Sequence, residues 1–221
     1  VAGNLIKGEI MRILRPEDST IVMIDHATGF GNLFRSHDVT YHVNNAVGLA
    51  KTAQVYDVPL VVTNGGDTDA SGPLFTPLKT VLGDTEVIVR EGNFDAFDTP
   101  RFVEAVKATG RRKLILSGLM TEGCVLQTAL SGIDRGYDVH VAVDVTAGVN
   151  QEVHEAAVQR MIQAGVVPVT WLSVASEFQR SYANVEKVGQ FMGLMAEHTS
   201  TLGMFIQAGA AAQTAQSASN G

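Results

Sequence analysis

Short apolar runs alternate with stretches of helical spacing along most of the chain. Ser19 to Asp25 (STIVMID) is almost continuously apolar and ends in a carboxylate. Such a run suits a strand covered on both faces. Val58–Asn64 (VPLVVTN), Glu86–Arg90 (EVIVR), Lys113–Ser117, Val139–Val143 and Val167–Leu172 have the same character. Between the runs, apolar positions predict helices. The first is Tyr41–Tyr56, with Val43, Ala46, Val47, Ala50 and Ala53 on one face. The next spans Leu74–Leu82. Another runs from Pro100 to about Thr109, since proline suits a first helical position. Glu122–Arg135 follows, with Gly136 at its C′ position. Gln151–Ala164 ends at Gly165. Strands and helices alternating at this spacing predict an α/β fold: a parallel sheet, helices on both faces and right-handed crossovers.

The pattern changes at both ends. Residues 1–18 read as an N-terminal arm, with Pro16 and Asp18 before the first strand. Beyond about Tyr182, residues 184–207 read as two more helices, with Val188, Phe191, Met192 and Met195 on one side. Ala208–Gly221 is rich in Ala, Gln and Ser, a composition ordinarily disordered. Leu194, Leu202, Met204, Phe205 and Ile206 still make the extension too apolar for a solvated tail. A sheet with helices on both faces is already covered, so the extension is expected to bury itself against a neighbouring subunit. The division is therefore 1–18 arm, 19–182 main domain, and 183–221 helical extension for oligomerisation. Closed homo-oligomers are the usual outcome.

Composition narrows the function. A chain of 221 residues suits one domain with its own core. A net charge of −7 argues against a nucleic-acid partner, which needs a basic face. One cysteine cannot form an internal disulfide, so a reducing, cytoplasmic setting is expected. No apolar signal segment is visible at the start. Val166–Ala175 is too short to span a bilayer and contains Pro168 and Thr170, so no membrane partner is expected. No Walker A, Gly-x-Gly-x-x-Gly or Gly-x-Ser-x-Gly motif occurs. His26, His37, His42, His140, His154 and His198 are scattered, with no His-x₃-His pair. Neither a metal nor another cofactor is expected.

The candidate chemistry centres on Leu114–Val125 (LILSGLMTEGCV): a buried strand, a tight turn, then a helix from near Thr121. Cys124, the only cysteine, falls in that helix's first turn. Unpaired N–H groups and the helix dipole favour a thiolate there. Thr121 suits the N-cap. A lone cysteine is otherwise a small buried hydrophobe. Doubly wound sheets bind ligands beyond the carboxyl ends of their strands. Asp25, Arg90 and Cys124 all fall at such ends. Alone, Asp25 would be a turn residue and Arg90 a surface charge; converging on one edge, they form a candidate site. Arginine keeps its proton in proteins, so Arg90 would act electrostatically beside Asp25 and the Cys124 thiolate. Phe30, Asn93 and Thr121 are candidate substrate contacts, although Phe30 could equally be core. Strand alternation turns His26 to the opposite face. His154, on a helix, reads as structural.

The runs IVMID, VIVREGNFDAF and LILSGLMTEGCV resemble the isochorismatase-like hydrolases, and among them the YcaC-like cysteine hydrolases. The resemblance covers roughly Ser19 to Tyr182 and includes DVTAGVNQEVHEAAVQRMIQAG with its His154. It implies a Rossmann-like three-layer sandwich with six parallel strands in the order 3-2-1-4-5-6. It also implies an Asp–basic–Cys triad, which maps to Asp25, Arg90 and Cys124. A cis peptide at Leu119–Met120 would aim the Met120 N–H, and Met120 and Cys124 would form the oxyanion hole. Most of the family has Lys where this chain has Arg90, and the spacing from Arg90 to Ala96-Phe97 is one residue longer than usual; YcaC-like members share both features. Nicotinamidases of the family carry an Asp-x-His metal motif after strand two, which Asn64–Asp69 lacks. True isochorismatases lack the cysteine, so Cys124 argues against vinyl-ether hydrolysis. The expectation is a metal-free cysteine hydrolase cleaving a small amide or related C–N bond through an acyl-enzyme. YcaC-like proteins form large rings, which implies a homo-octamer. Two alternatives stand: a catalytically silent scaffold of the same fold, or a hydrolase of a thioester or cyclic imide.

Overall fold

In the computed structural model, residues 13–219 are described, apart from Asp67 and Glu91. Strand β1, Ser19–Ile24, is buried at every position. It pairs in parallel with β2, Leu60–Asn64, on one side and β4, Lys113–Leu119, on the other. β3, Val87–Val89, adds beyond β2; β5, Asp138–Ala147, and β6, Val167–Val169, add beyond β4. The sheet order is β3-β2-β1-β4-β5-β6, and all its pairings are parallel. The expected architecture and strand order are thus found.

Alternation along β1 builds two cores. Ile21 and Met23 face one layer, made by α2 (Val39–Val55), α3 (Thr76–Leu82), α7 (Trp171–Gln179) and α8 (Val188–His198). Val22 and Ile24 face the other, made by α4 (Pro100–Ala108), α5 (Leu126–Asp134) and α6 (Gln151–Gln163). A short helix, α1 (Thr28–Gly31), follows β1, and α9 (Ser200–Ser219) ends the described chain.

Three expectations change. The apolar run to Leu172 is not one strand: β6 stops at Val169 and α7 begins at Trp171. Thr170 and Ser173 form a capping box, and the Trp171 N–H donates to Asp144 Oδ1 at 3.0 Å. This turn of capping chemistry overrides the apolar pattern. β5 runs on past Val143 to Ala147, through a register shift opposite Leu116 and Gly118. Third, α8 does not wait for a neighbour. Its Phe191, Leu194 and Met195 are buried in the chain's own core with Leu49 and Trp171. α9 continues as helix through the Ala-rich segment to Ser219. Leu202 and Ile206 pack inward, whereas Met204 and Phe205 stay 68% and 74% exposed. Of the arm, residues 1–12 lie outside the described residues. Its end is anchored, with Leu14 fully buried and its N–H donating to Glu177 Oε2 at 2.6 Å.

One polar chain crosses the core. His26 Nδ1 meets His42 Nε2 at 3.2 Å, and His26 Nε2 meets Ser117 Oγ at 3.1 Å. Both imidazoles are fully buried. Burial lowers His26 to about 3 and pushes His42 well below its ordinary value. In the unfolded chain both take a proton near pH 6.5; the folded chain refuses it. The folded state is therefore most stable above about pH 6.5 and loses roughly 1.4 kcal/mol per pH unit for each histidine below that. We expect the urea midpoint to fall steadily from about pH 7 to pH 4.5. A midpoint that is flat across this range would contradict the neutral pair.

Candidate active site

The site is made where β1, β3 and β4 end. Asp25 follows β1 directly with φ 52°, a left-handed conformation that Asp tolerates better than most residues. Its N–H donates to the Thr63 carbonyl at 3.1 Å, and Thr63 Oγ1 donates to Asp25 Oδ1 at 2.9 Å. β2 therefore positions the carboxylate twice. Arg90 follows β3, with its N–H donating to the Asn64 carbonyl at 2.9 Å. Its Nε donates to Asp25 Oδ1 at 3.3 Å, and its Nη2 pairs with Asp25 Oδ2. Its Nη1 donates to the carbonyls of Asn93 and Phe94.

Cys124 arrives on a different device. Thr121–Val125 form a single π-helical turn, with the Val125 N–H bonded to the Met120 carbonyl at 3.3 Å. Such turns inside helices are frequent at functional sites. The Leu119–Met120 peptide that precedes the turn is cis. The thiol is close enough to Asp25 and Arg90 for both to act on it electrostatically. Asp25, Arg90 and Cys124 are 3%, 4% and 6% exposed, so the three groups share one secluded position.

This environment reverses one expectation. Burial pushes the Cys124 thiol up, the Asp25 carboxylate pushes it further, and Arg90 only partly draws it back. A helix N-terminus was expected to favour the thiolate; here Cys124 is the fourth residue of a π turn and faces a carboxylate. The resting state is therefore a thiol beside a carboxylate. Burial also opposes the Arg90 charge, but Asp25 and then Cys124 outweigh it and raise its pKa.

The other candidates divide. Thr121 is not the N-cap: Met120 occupies that position, and no side chain caps the turn. Thr121 is fully buried, with its hydroxyl 2.9 Å from both Thr146 Oγ1 and His154 Nδ1. Its hydroxyl braces the turn against β5 and α6. Met120 is half-buried at the head of the turn. Phe30 is half-buried and packs on the core. Asn93 is exposed, and its carbonyl is engaged by Arg90. His26 turns away into the core, as alternation implies. Two contributors escaped the sequence reading. Thr63 could have been suspected as a polar residue closing a buried strand. Phe94 sits in a loop with no periodicity to mark it.

Among the described residues, no group of three or more His, Cys, Asp or Glu side chains is placed to hold a metal ion. A cavity of about 680 Å³ beside Asn44, Asp144, Trp171 and His198 contains none of the three clustered groups.

Residues 19–173 match the family model of the isochorismatase domain. The chain belongs to the isochorismatase family. The probable hydrolase YcaC of Escherichia coli K12 is 37% identical over 171 residues, which is 77% of this chain and 82% of that protein. The 1.8 Å crystal structure of the E. coli ycaC product, described as an octameric hydrolase of unknown specificity, superposes with a TM-score of 0.84 at 34% identity. That match covers 89% of this chain and 95% of the other. Pseudomonas aeruginosa YcaC, solved with hexane-2,5-diol and covalent acrylamide, matches with a TM-score of 0.84 at 33% identity, over 90% and 97% of the two chains. This chain is therefore a YcaC-like hydrolase of the isochorismatase family. Among the described residues, no helix is long and apolar enough to cross a membrane.

Proposed function

We propose that the protein is a metal-free cysteine hydrolase that cleaves a small amide or related C–N bond through an acyl-enzyme. One observation carries the reading: the chain's only thiol is buried in the electrostatic reach of a buried carboxylate–guanidinium pair at the strand ends. Sulfur attacks the substrate carbonyl as Asp25 takes the thiol proton. The developing oxyanion accepts N–H bonds from Met120 and Cys124. Asp25 passes the proton to the departing nitrogen, and the amine leaves. Water then loses a proton to Asp25 and attacks the thioester. Collapse releases the acid, and Asp25 returns the proton to sulfur. Arg90 transfers no proton; its fixed charge holds Asp25 in place and stabilises the sulfur as it becomes anionic. The P. aeruginosa relative's covalent acrylamide supports a nucleophile in this fold.

A panel of primary amides, carbamoyl compounds and cyclic imides tests the assignment, with intact-mass detection of an acyl group on Cys124. We expect turnover of at least one class, an acylated Cys124, and no loss of rate in a chelator. Loss of activity in the chelator would refute the metal-free reading. Turnover without an acylated cysteine would refute the covalent route, and no turnover at all would favour the scaffold alternative.

We further propose a cytoplasmic homo-octamer in which the outer face of α9 lies between subunits. Met204 and Phe205 are the apolar groups left uncovered there, and the E. coli relative is described as octameric. α8 covers its own domain, so the test should spare it. Met204→Ser with Phe205→Ser is expected to reduce the mass seen by light scattering from the octamer to smaller species. A wild-type monomer at micromolar concentration, or an unaltered octamer in the double variant, would overturn this.

A further inference from the structure

We propose that Phe94 selects the substrate at Cys124, favouring neutral compounds with an apolar group beside the scissile carbonyl, and that Arg90 holds Phe94 in place. The inference rests on Cys124 being the nucleophile.

Arginine offers five N–H donors in a rigid fork. Arg90 spends four of them on oxygen acceptors, both Asp25 oxygens and the carbonyls of Asn93 and Phe94, and its charge acts on the Cys124 thiol. One side chain thus ties the base to the loop after β3, beside the nucleophile. A lysine has one nitrogen and cannot span these groups. Arg90 also holds both Asp25 oxygens, so the pair carries little net charge to draw a substrate carboxylate.

The loop so held carries an aromatic ring. The Phe94 carbonyl is bound to Arg90 at 3.1 Å, yet the residue is 61% exposed. Its ring edge lies 3.8 Å from where a Cβ on Gly123 would stand. Gly123 has no side chain and precedes Cys124, so the ring rests over bare backbone next to the sulfur. An exposed aromatic face fixed at that distance gains by covering apolar surface and gains nothing from a charged group.

Alkylation of Cys124 reads this selection without requiring hydrolysis. Iodoacetamide, N-benzyl-iodoacetamide and iodoacetate would be compared by intact mass, each rate divided by its rate with a free thiol. The wild type should favour the benzyl reagent over iodoacetamide by about tenfold and disfavour iodoacetate by a similar factor. Phe94→Ala should abolish the benzyl preference, and Phe94→Tyr should retain it. Arg90→Lys keeps a positive charge and should lose the benzyl preference with Phe94 still present. An unchanged benzyl preference in Phe94→Ala would overturn the role of Phe94, and an unchanged one in Arg90→Lys would overturn the tether. A folded wild type whose Cys124 reacts with none of the reagents would overturn the nucleophile itself, and this proposal with it.

Discussion

Cys124→Ala is expected to lower turnover by about 10⁴-fold or more while leaving the fold intact. The substitution removes the atom that forms the acyl bond and leaves only a small void. Asp25→Asn should lose nearly as much activity, because residues that act as a unit are not additive. The two variants separate on stability. Asparagine keeps the shape of Asp25 but cannot hold the buried Arg90 charge, and breaking a buried pair costs about 3–5 kcal/mol. Both partners are 4% exposed at their side chains, so solvent screens little of that loss. Asp25→Asn should therefore melt well below the wild type, whereas Cys124→Ala should not. Steady-state kinetics and thermal melts on the same preparations check both halves. Activity retained in Cys124→Ala would end the acyl-enzyme mechanism; an unchanged melt for Asp25→Asn would deny the ion pair its structural weight.

Much of this architecture was legible in the residues. A buried parallel strand must be apolar throughout, so STIVMID and LILSG stood out, while EVIVR kept its apolar character on the outermost strand with Val89 59% exposed, and the charged or polar groups closing these runs marked one sheet edge. Asp25, Arg90 and Cys124 were legible for that reason, and the structure brings them together. Burial inside the edge was harder to foresee. Helix-terminus reasoning favoured a thiolate, but burial first and the Asp25 carboxylate second reverse that, and neither is written in local periodicity. α7 was missed because VVPVTWL is apolar enough for a strand; only the Thr170–Ser173 box breaks it. The fate of α8 was misjudged on coverage: α2 and α7 leave an apolar face that Phe191 and Leu194 close from within the chain.

Gly118→Ala should remove a large share of the protein's stability, although it adds one methyl group. Gly118 lies in β4, opposite Ile24 on one side and Thr146 on the other. Its φ is 141°, a conformation open to glycine and strained for alanine. An added Cβ would also overlap the Ile24 carbonyl oxygen and stand 2.8 Å from both the Ile24 carbonyl carbon and its Cβ. Backbone in the middle strand of a sheet has nowhere to go, so both penalties fall on the fold. Together they should cost more than about 4 kcal/mol, a large share of the roughly 5–15 kcal/mol that holds a domain together. Gly83→Ala separates the terms. Gly83 also has positive φ, 55°, but nothing lies within 4 Å of its added Cβ. That variant should lose only about 1 kcal/mol. Ile24 leads into Asp25 and Gly118 into the turn that carries Cys124. Any strand shift that relieves the overlap must therefore separate base from sulfur, and the folded remnant of Gly118→Ala should be inactive as well as unstable. Urea midpoints of the two variants, with the specific activity of the soluble fraction, decide the matter. Equal midpoints for Gly118→Ala and Gly83→Ala would show that the close approach of β4 to the Ile24 backbone carries none of the penalty.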